Sequence, residues 1–256
     1  MNTREKIVGI PKNTRLKEDV QPILNKALKL EDCNNGIWRS PFLDDTRFVE
    51  MKIADLIMAL RRRFVDLALI SDDKGLEEEA KPKNEERMER CFGLRIEKPP
   101  VMRALVREED KDKMTDRIFG AYYKEPVYSG EKAVTSYPEL MRYYVRTKLG
   151  KLLQSCNIWK VDGQVESFMR NGVLPNTVLA YDIVRSGDTA RKFGLVPVDA
   201  DQTCDPAYKA YPSFWRNERL LPYQKKYIQK VLPEIMLRLG SEVEIDNRNT
   251  REVLTG

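Results

Sequence analysis

Thr177-Val-Leu-Ala-Tyr-Asp-Ile-Val-Arg-Ser-Gly-Asp-Thr-Ala190 is the stretch whose reading decides the fold. Through Val184 it is mostly apolar and rich in β-branched residues, the pattern of a buried strand that delivers Asp182 near its carboxyl end. Arg185, Ser186, Gly187, Asp188 and Thr189 follow as a polar turn, and the pattern predicts a helix from Ala190. Glycine lets a backbone approach a ligand closely, hydroxyls add donors, and the amino end of a helix favours an anion. A carboxylate at the strand end can accept hydrogen bonds from sugar hydroxyls. The same residues also make an ordinary helix cap, so the stretch alone leaves both roles open.

Working outward, similar units recur. Lys6 to Ile10 reads as a strand ended by Pro11, Lys12 to Arg15 as a polar turn, and Leu16 to Leu30 as a helix that Pro22 kinks or delays. Lys12 and Arg15 are a point charge and a bidentate fork, a pair that can hold a pyrophosphate or simply face water. Residues 48–64 read as helix and Val65 to Ile70 as a buried strand; the charged run Gly75 to Glu89 reads as a solvated helix or loop. Pro99-Pro100 punctuates the chain. Strands are expected at Val101 to Val106, Lys132 to Ser136 and Ile158 to Val161. Helices are expected at Glu139 to Leu149, Gln164 to Asn171 and Leu221 to Leu239. Strands alternating with helices argue for an α/β protein with largely parallel sheets.

Composition narrows the chemistry. At 256 residues the chain fits one large domain or two smaller ones, and 41% hydrophobic residues suffice for a packed core. The most apolar long segment, Ile53 to Ile70, carries too many charges to span a membrane, and Met1 to Ile7 has no apolar leader, so a cytoplasmic location is expected. Cys33, Cys91, Cys156 and Cys204 are far apart, which disfavours a zinc or disulfide scaffold. There is no histidine, which excludes imidazole bases, Ser-His-Asp and Cys-His chemistry. A net charge of +5 from 45 basic and 40 acidic residues fits a polyanionic small molecule at least as well as nucleic acid. Arg61-Arg-Arg63 reads as the exposed end of a helix, and Met51, Met58 and Tyr143-Tyr144 read as core.

Four segments, in order, resemble the ATP phosphoribosyltransferases, enzymes of the first step of histidine biosynthesis. Asp182-Ile-Val-Arg-Ser-Gly-Asp-Thr-Ala190 with Phe193-Gly-Leu-Val196 is similar to the family's phosphoribosyl-pyrophosphate loop, Asp-x-Val-x-(Ser/Thr)-Gly-x-Thr-Leu and a following Asn-Gly-Leu. Thr135-Ser-Tyr-Pro-Glu-Leu-Met-Arg-Tyr-Tyr144 resembles Thr-Ser-Tyr-Pro-Asn-Leu-x-Arg-x-Tyr, and Gly163-Gln-Val-Glu166 resembles Gly-Ser-Val-Glu. Ile10-Pro-Lys-Asn-Thr-Arg-Leu16 looks like Ile-Pro-Lys-Gly-Arg-Leu with one residue added. Asp66-Leu-Ala-Leu-Ile-Ser-Asp-Asp73 departs from Asp-Leu-Gly-Ile-Thr-Gly-x-Asp at both glycines and the threonine. Of Arg-Pro-x-Asp-Ile-Pro, Lys52-Ile-Ala-Asp55-Leu56 remains.

The resemblance implies a two-lobed α/β fold similar to type 2 periplasmic binding proteins, with the ligand cleft between lobes. Residues 1–99, completed by 205–256, would form the first lobe and residues 100–204 the second. It implies phosphoribosyl transfer from phosphoribosyl pyrophosphate to N1 of ATP, assisted by Mg²⁺. Glu166, Asp182 and Arg185 to Thr189 would bind the donor, with Asp182 and Glu166 on its ribose hydroxyls. Lys12 and Arg15 would stabilise the leaving pyrophosphate. Lys52, Asp55, Ser71 and Asp73 would line the acceptor site. The expected partners are other copies of the chain and a regulatory subunit resembling histidyl-tRNA synthetase. The departures at Ala68, Ile70 and Ser71 predict weaker ATP binding. They keep two alternatives open: a different acceptor, or a non-catalytic regulatory or ligand-binding paralogue.

Overall fold

The structure, a computed structural model, describes residues 5–12, 14–81, 86–119, 130–147, 156–162, 165–170, 174–198 and 209–255. They form two compact units, one from Met1–Glu97 and Tyr211–Thr255, the other from Lys98–Ala210.

In the first unit, β1 (Lys6–Pro11) lies between the parallel strands β4 (Thr46–Met51) and β5 (Leu67–Ser71). Between β1 and β4 run α1 (Arg15–Leu28), β2 (Glu31–Asp32) and β3 (Ile37–Arg39). Then come α2 (Ile53–Arg61) before β5, and α3 (Asp72–Glu79) and β6 (Met88–Leu94) after it. Val8 and Ile10 of β1 alternate toward α1, whose Val20, Leu24 and Leu28 share a core with them. Pro22 lies on the exposed side of that helix.

The expected helix over 48–64 is a strand up to Met51 and a helix only from Ile53. Thr46 and Phe48 alternate buried with partly exposed neighbours, a period of two, and Lys6 to Pro11 pair in register with Thr46 to Met51. Met58, expected in the core, is 48% exposed. The charged run beginning at Gly75 is not solvated at its start: Gly75, Leu76 and Glu77 are buried in α3. A Cβ on Gly75 would come within 2.3 Å of the Trp215 ring, so the helix packs there only because that side chain is missing.

The second unit follows with β7 (Val101–Arg107), α4 (Lys111–Phe119), β8 (Lys132–Thr135), α5 (Pro138–Thr147), β9 (Asn157–Lys160), α6 (Val165–Arg170), β10 (Thr177–Val184), α7 (Asp188–Lys192) and β11 (Leu195–Pro197). The first unit resumes with β12 (Pro212–Asn217), α8 (Pro222–Gly240), β13 (Ile245–Asp246) and α9 (Thr250–Thr255). The two strand orders are β13-β6-β12-β5-β1-β4-β3-β2 and β11-β7-β10-β8-β9. Pairing is parallel at the heart of each sheet, β4-β1-β5 and β10-β8-β9, and antiparallel outside it. Tyr227, Ile228, Val231 and Ile235 of α8 complete the core over β1 and α1.

Candidate functional site

Parallel strands that each feed a helix put their carboxyl ends, and the amino ends of the helices, on one edge of a sheet, where open α/β folds take ligands. In the second unit β8, β9 and β10 do this. Thr135 of β8 is level with Tyr181 of β10 and with Lys160 of β9. Strand β10 then runs three residues further, Asp182 to Val184, paired only with Val101 to Arg103 of β7. Asp182 is therefore the first residue of β10 past the end of β8, and its Oδ1 accepts from the Ile183 amide at 2.8 Å.

Beyond it, Gly187 caps α7 with φ +75°, a left-handed conformation that side-chain-bearing residues adopt at a cost. Helix α7 begins at Asp188, two residues earlier than expected, so Thr189 lies in its first turn, exposed with Asp188 and Ser186. The Asp188 amide donates to Ser186 Oγ at 3.3 Å, which tightens the turn. Glu166 sits in the first turn of α6, almost wholly buried, and α6 packs on β10 and β8. The structure thus brings Glu166, Asp182 and Arg185 to Thr189 to one edge of one sheet. Gly163 and Gln164 lie outside the described residues.

Sequence reading missed Arg191. Its guanidinium donates to Asp188 Oδ1 at 2.5 Å and to the Ser186 carbonyl at 3.2 Å. Hydrogen bonds from Ser186 and Arg191, and the charge of Arg191, hold the Asp188 carboxyl below its usual range. The spacing of Asp188 and Arg191, one helical turn, was the available signal.

The first unit has a corresponding edge. The Lys12 amide donates to the Met51 carbonyl at 2.9 Å, continuing the β1–β4 ladder, so Lys12 and Lys52 follow neighbouring strand ends. Both are exposed, as are Arg15 and Asp55 in the first turns of α1 and α2. Thr14 Oγ1 caps α1 by accepting from the Lys17 amide at 3.3 Å. Ser71 ends β5 on the same edge, and Asp73 is buried in the first turn of α3. Ala68 and Ile70 are fully buried within the sheet, so their side chains fill core.

Asp72, next to Asp73, has a different task. Arg90 donates to its two carboxylate oxygens at 2.8 and 3.2 Å and to Asp246 Oδ2 at 3.2 Å, with all three side chains at most 1% exposed. Burial raises the Asp72 pKa above its ordinary value despite the charge of Arg90. Asp246 lies lower than usual: burial opposes ionisation there, but Arg248's hydrogen bonds and the charges of Arg90 and Arg248 outweigh it.

No three acidic or thiol side chains among the described residues converge to hold a metal ion. A Mg²⁺ carried on a substrate's phosphates needs only one or two protein carboxylates. Among the described residues no helix is long and apolar enough to cross a membrane.

No protein-family model and no curated protein sequence matches the chain. Its structure is similar to a chain of the ATP phosphoribosyl transferase (HisG:HisZ) complex from Thermotoga maritima, at a TM-score of 0.57 and 16% identity over 92% of this chain and 99% of that one. It is also similar to the binding-protein component of a phosphonate transporter from Pseudomonas aeruginosa (TM-score 0.49, 12% identity, 97% and 83% covered). The alkanesulfonate-binding protein SsuA from Xanthomonas axonopodis pv. citri is a further match (0.48, 10%, 93% and 74%). The first likeness shows the fold. It is the two-lobed α/β class expected from the sequence, with parallel strands at the heart of mixed sheets.

Proposed function

We propose that the chain is a phosphoribosyltransferase that takes phosphoribosyl pyrophosphate as donor and, in keeping with the resemblance, N1 of ATP as acceptor. The observation that carries this reading is the loop Arg185 to Thr189, turned by a left-handed Gly187 into the amino end of α7 with Asp182 just before it. Ser186, Thr189 and the loop amides receive the donor's 5′-phosphate, and Asp182 and Glu166 accept from its ribose hydroxyls. As the C1′–oxygen bond breaks, the pyrophosphate departs with the bonding pair, C1′ becomes oxocarbenium-like, and the N1 lone pair of the acceptor forms the new C1′–N1 bond while the adenine gives up a proton to solvent. Offsetting the charge that develops on the leaving group is the role the resemblance implies for Lys12 and Arg15. No protein nucleophile or imidazole is needed, which suits a chain without histidine. Mg²⁺ enters this reading on the pyrophosphate. The chain works in this reading as an oligomer, with or without a regulatory subunit of the kind the resemblance implies.

A second reading is favoured by the β5–α3 corner. Asp72 and Asp73 put two carboxylates into the first turn of α3, so the positive end of that helix already has its anions. A triphosphate gains little there, which favours an acceptor other than ATP or a paralogue that binds donor without transfer.

The test is pyrophosphate release from phosphoribosyl pyrophosphate and Mg²⁺, with and without ATP. Release that depends on ATP supports the first reading, donor binding without release supports the second, and absence of donor binding refutes both.

A further inference from the structure

The opposite edge of the second sheet holds a different cluster. Strand β7 runs antiparallel to β10, so its last residue, Arg107, lies away from the loop at 185–189. Helices α6 and α7 each return from the carboxyl ends of parallel strands, which carries their last residues, Arg170 and Lys192, to the Arg107 side. Leu195, just past α7, is level with Arg107. There Arg107, Arg170, Arg191, Lys192 and Glu109 line a cavity of about 410 Å³ with Phe193 and Gly194. That volume falls in the range of small-ligand pockets.

Two guanidinium groups of this cluster are fixed by main chain. Arg107 donates to the Met169 carbonyl at 2.9 Å, near the end of α6, and Arg170 donates to the Lys192 carbonyl at 2.8 Å, at the end of α7. Cations near helix carboxyl ends are common, and one per helix suffices for the dipole. Here Arg107, Arg170 and Lys192 line one concavity with a single carboxylate, Glu109, while the Arg191 guanidinium is turned back onto Asp188 and Ser186. Asp110 lies 3.6 Å from Arg107, and Asp188 takes Arg191. Arg170 is held by a carbonyl and not by a carboxylate, and the charge of Lys192 reaches Asp188. Like charges gathered in a concave, polar place raise the local potential and attract an anion. Anchored guanidinium groups lose little freedom on binding one.

We propose that this cavity is a second anion site, separate from the 185–189 loop, which takes a compact small molecule bearing several phosphate or carboxylate groups. Arg107 and Arg170 supply oriented forks and Lys192 a point charge. The inference does not depend on the chain being a phosphoribosyltransferase.

The experiment is calorimetric titration of the full chain with inorganic tripolyphosphate and, separately, citrate, which distinguishes phosphate from carboxylate as the preferred group. The variants are Arg170→Gln/Lys192→Gln for the cavity and Thr189→Ala for the loop. A saturable site for either probe that weakens by about tenfold or more in the double variant, as loss of charged hydrogen bonds predicts, and is unchanged in Thr189→Ala supports the proposal. Absence of saturable binding to both probes, affinity unchanged in the double variant, or equal loss in Thr189→Ala overturns it. If the double variant does not fold, Lys192→Gln at an exposed position carries the same comparison, with about threefold weakening as the expected result and no change as the refutation. A chain that fails to bind phosphoribosyl pyrophosphate but passes this test keeps the cavity and loses the proposed function.

Discussion

Arg191 reaches back one turn along α7 to bind the carboxylate of Asp188, and a Cβ on Gly187 would lie 3.2 Å from its Nη1. The guanidinium thus lies over the loop to which a phosphate is assigned. Both side chains are about two-thirds exposed, and an exposed ion pair is held only weakly, so an arriving dianion can displace the carboxylate at small cost. Asp188→Asn is expected to bind phosphoribosyl pyrophosphate more tightly, by up to about fivefold, and Arg191→Gln more weakly. Titration of both and of the double variant checks this, since the gain from Asp188→Asn should vanish when Arg191 is gone. A gain that persists without Arg191 assigns it to charge repulsion by Asp188 alone.

Thr189→Ala removes a hydroxyl from a charged acceptor and is expected to weaken donor binding by roughly 1.5–3 kcal/mol. Calorimetry with phosphoribosyl pyrophosphate reads it directly, and unchanged affinity assigns the phosphate elsewhere.

Asp182→Asn and Glu166→Gln keep shape and remove charge. Each is expected to weaken phosphoribosyl pyrophosphate while leaving inorganic phosphate unaffected, because the ribose contact alone is lost. Circular dichroism establishes that the fold is kept. Equal weakening of both ligands would point to a general electrostatic effect instead.

Gly93 marks a stability limit. A Cβ there would lie 2.0 Å from Arg90 Nη2 and 2.8 Å from Ser213 Oγ, both buried. Gly93→Ala must displace the guanidinium from Asp72 and Asp246, and breaking a buried pair costs about 3–5 kcal/mol. Urea denaturation is expected to register a loss of that order. A loss below about 1 kcal/mol means the cluster relaxes around the methyl group.

Acid should act through Asp246. Its folded pKa is below 3.8, so its contribution is present above the unfolded value and is lost as pH falls through the folded one. Asp72 runs the other way: its raised pKa favours the folded state below 3.8 and the contribution disappears as pH rises through the folded value. Asp246→Asn should therefore flatten the fall in stability on the acid side of pH 3.8, read as urea midpoints across a pH series. An unchanged slope assigns acid unfolding to other carboxylates.

The loop at 182–190 was legible because an apolar strand, a glycine and two hydroxyls stand in immediate succession, and local chemistry fixes what they do. Strand β12 was not. It opens with Pro212 and closes with Asn217, which read as loop residues, yet Ser213, Phe214 and Trp215 are fully buried between β5 and β6. The start of α3 was misjudged for a related reason. The run from Gly75 reads as solvated until Trp215, far along the chain, is known to pack on it. Partners that distant leave no periodic trace in a single sequence.

Strands β6 and β12 pair side by side, with Ser213 opposite Gly93. The whole of Lys98–Ala210 therefore leaves and re-enters the first unit at neighbouring points of one sheet. The eight-stranded sheet is closed without it, as if a hairpin turn had been opened to admit a guest. The entropy cost of joining two such points grows only slowly with the length of chain between them, by roughly 0.6 kcal/mol per doubling. The arrangement predicts modularity: a short turn in place of residues 98–210 should leave a first unit that folds on its own.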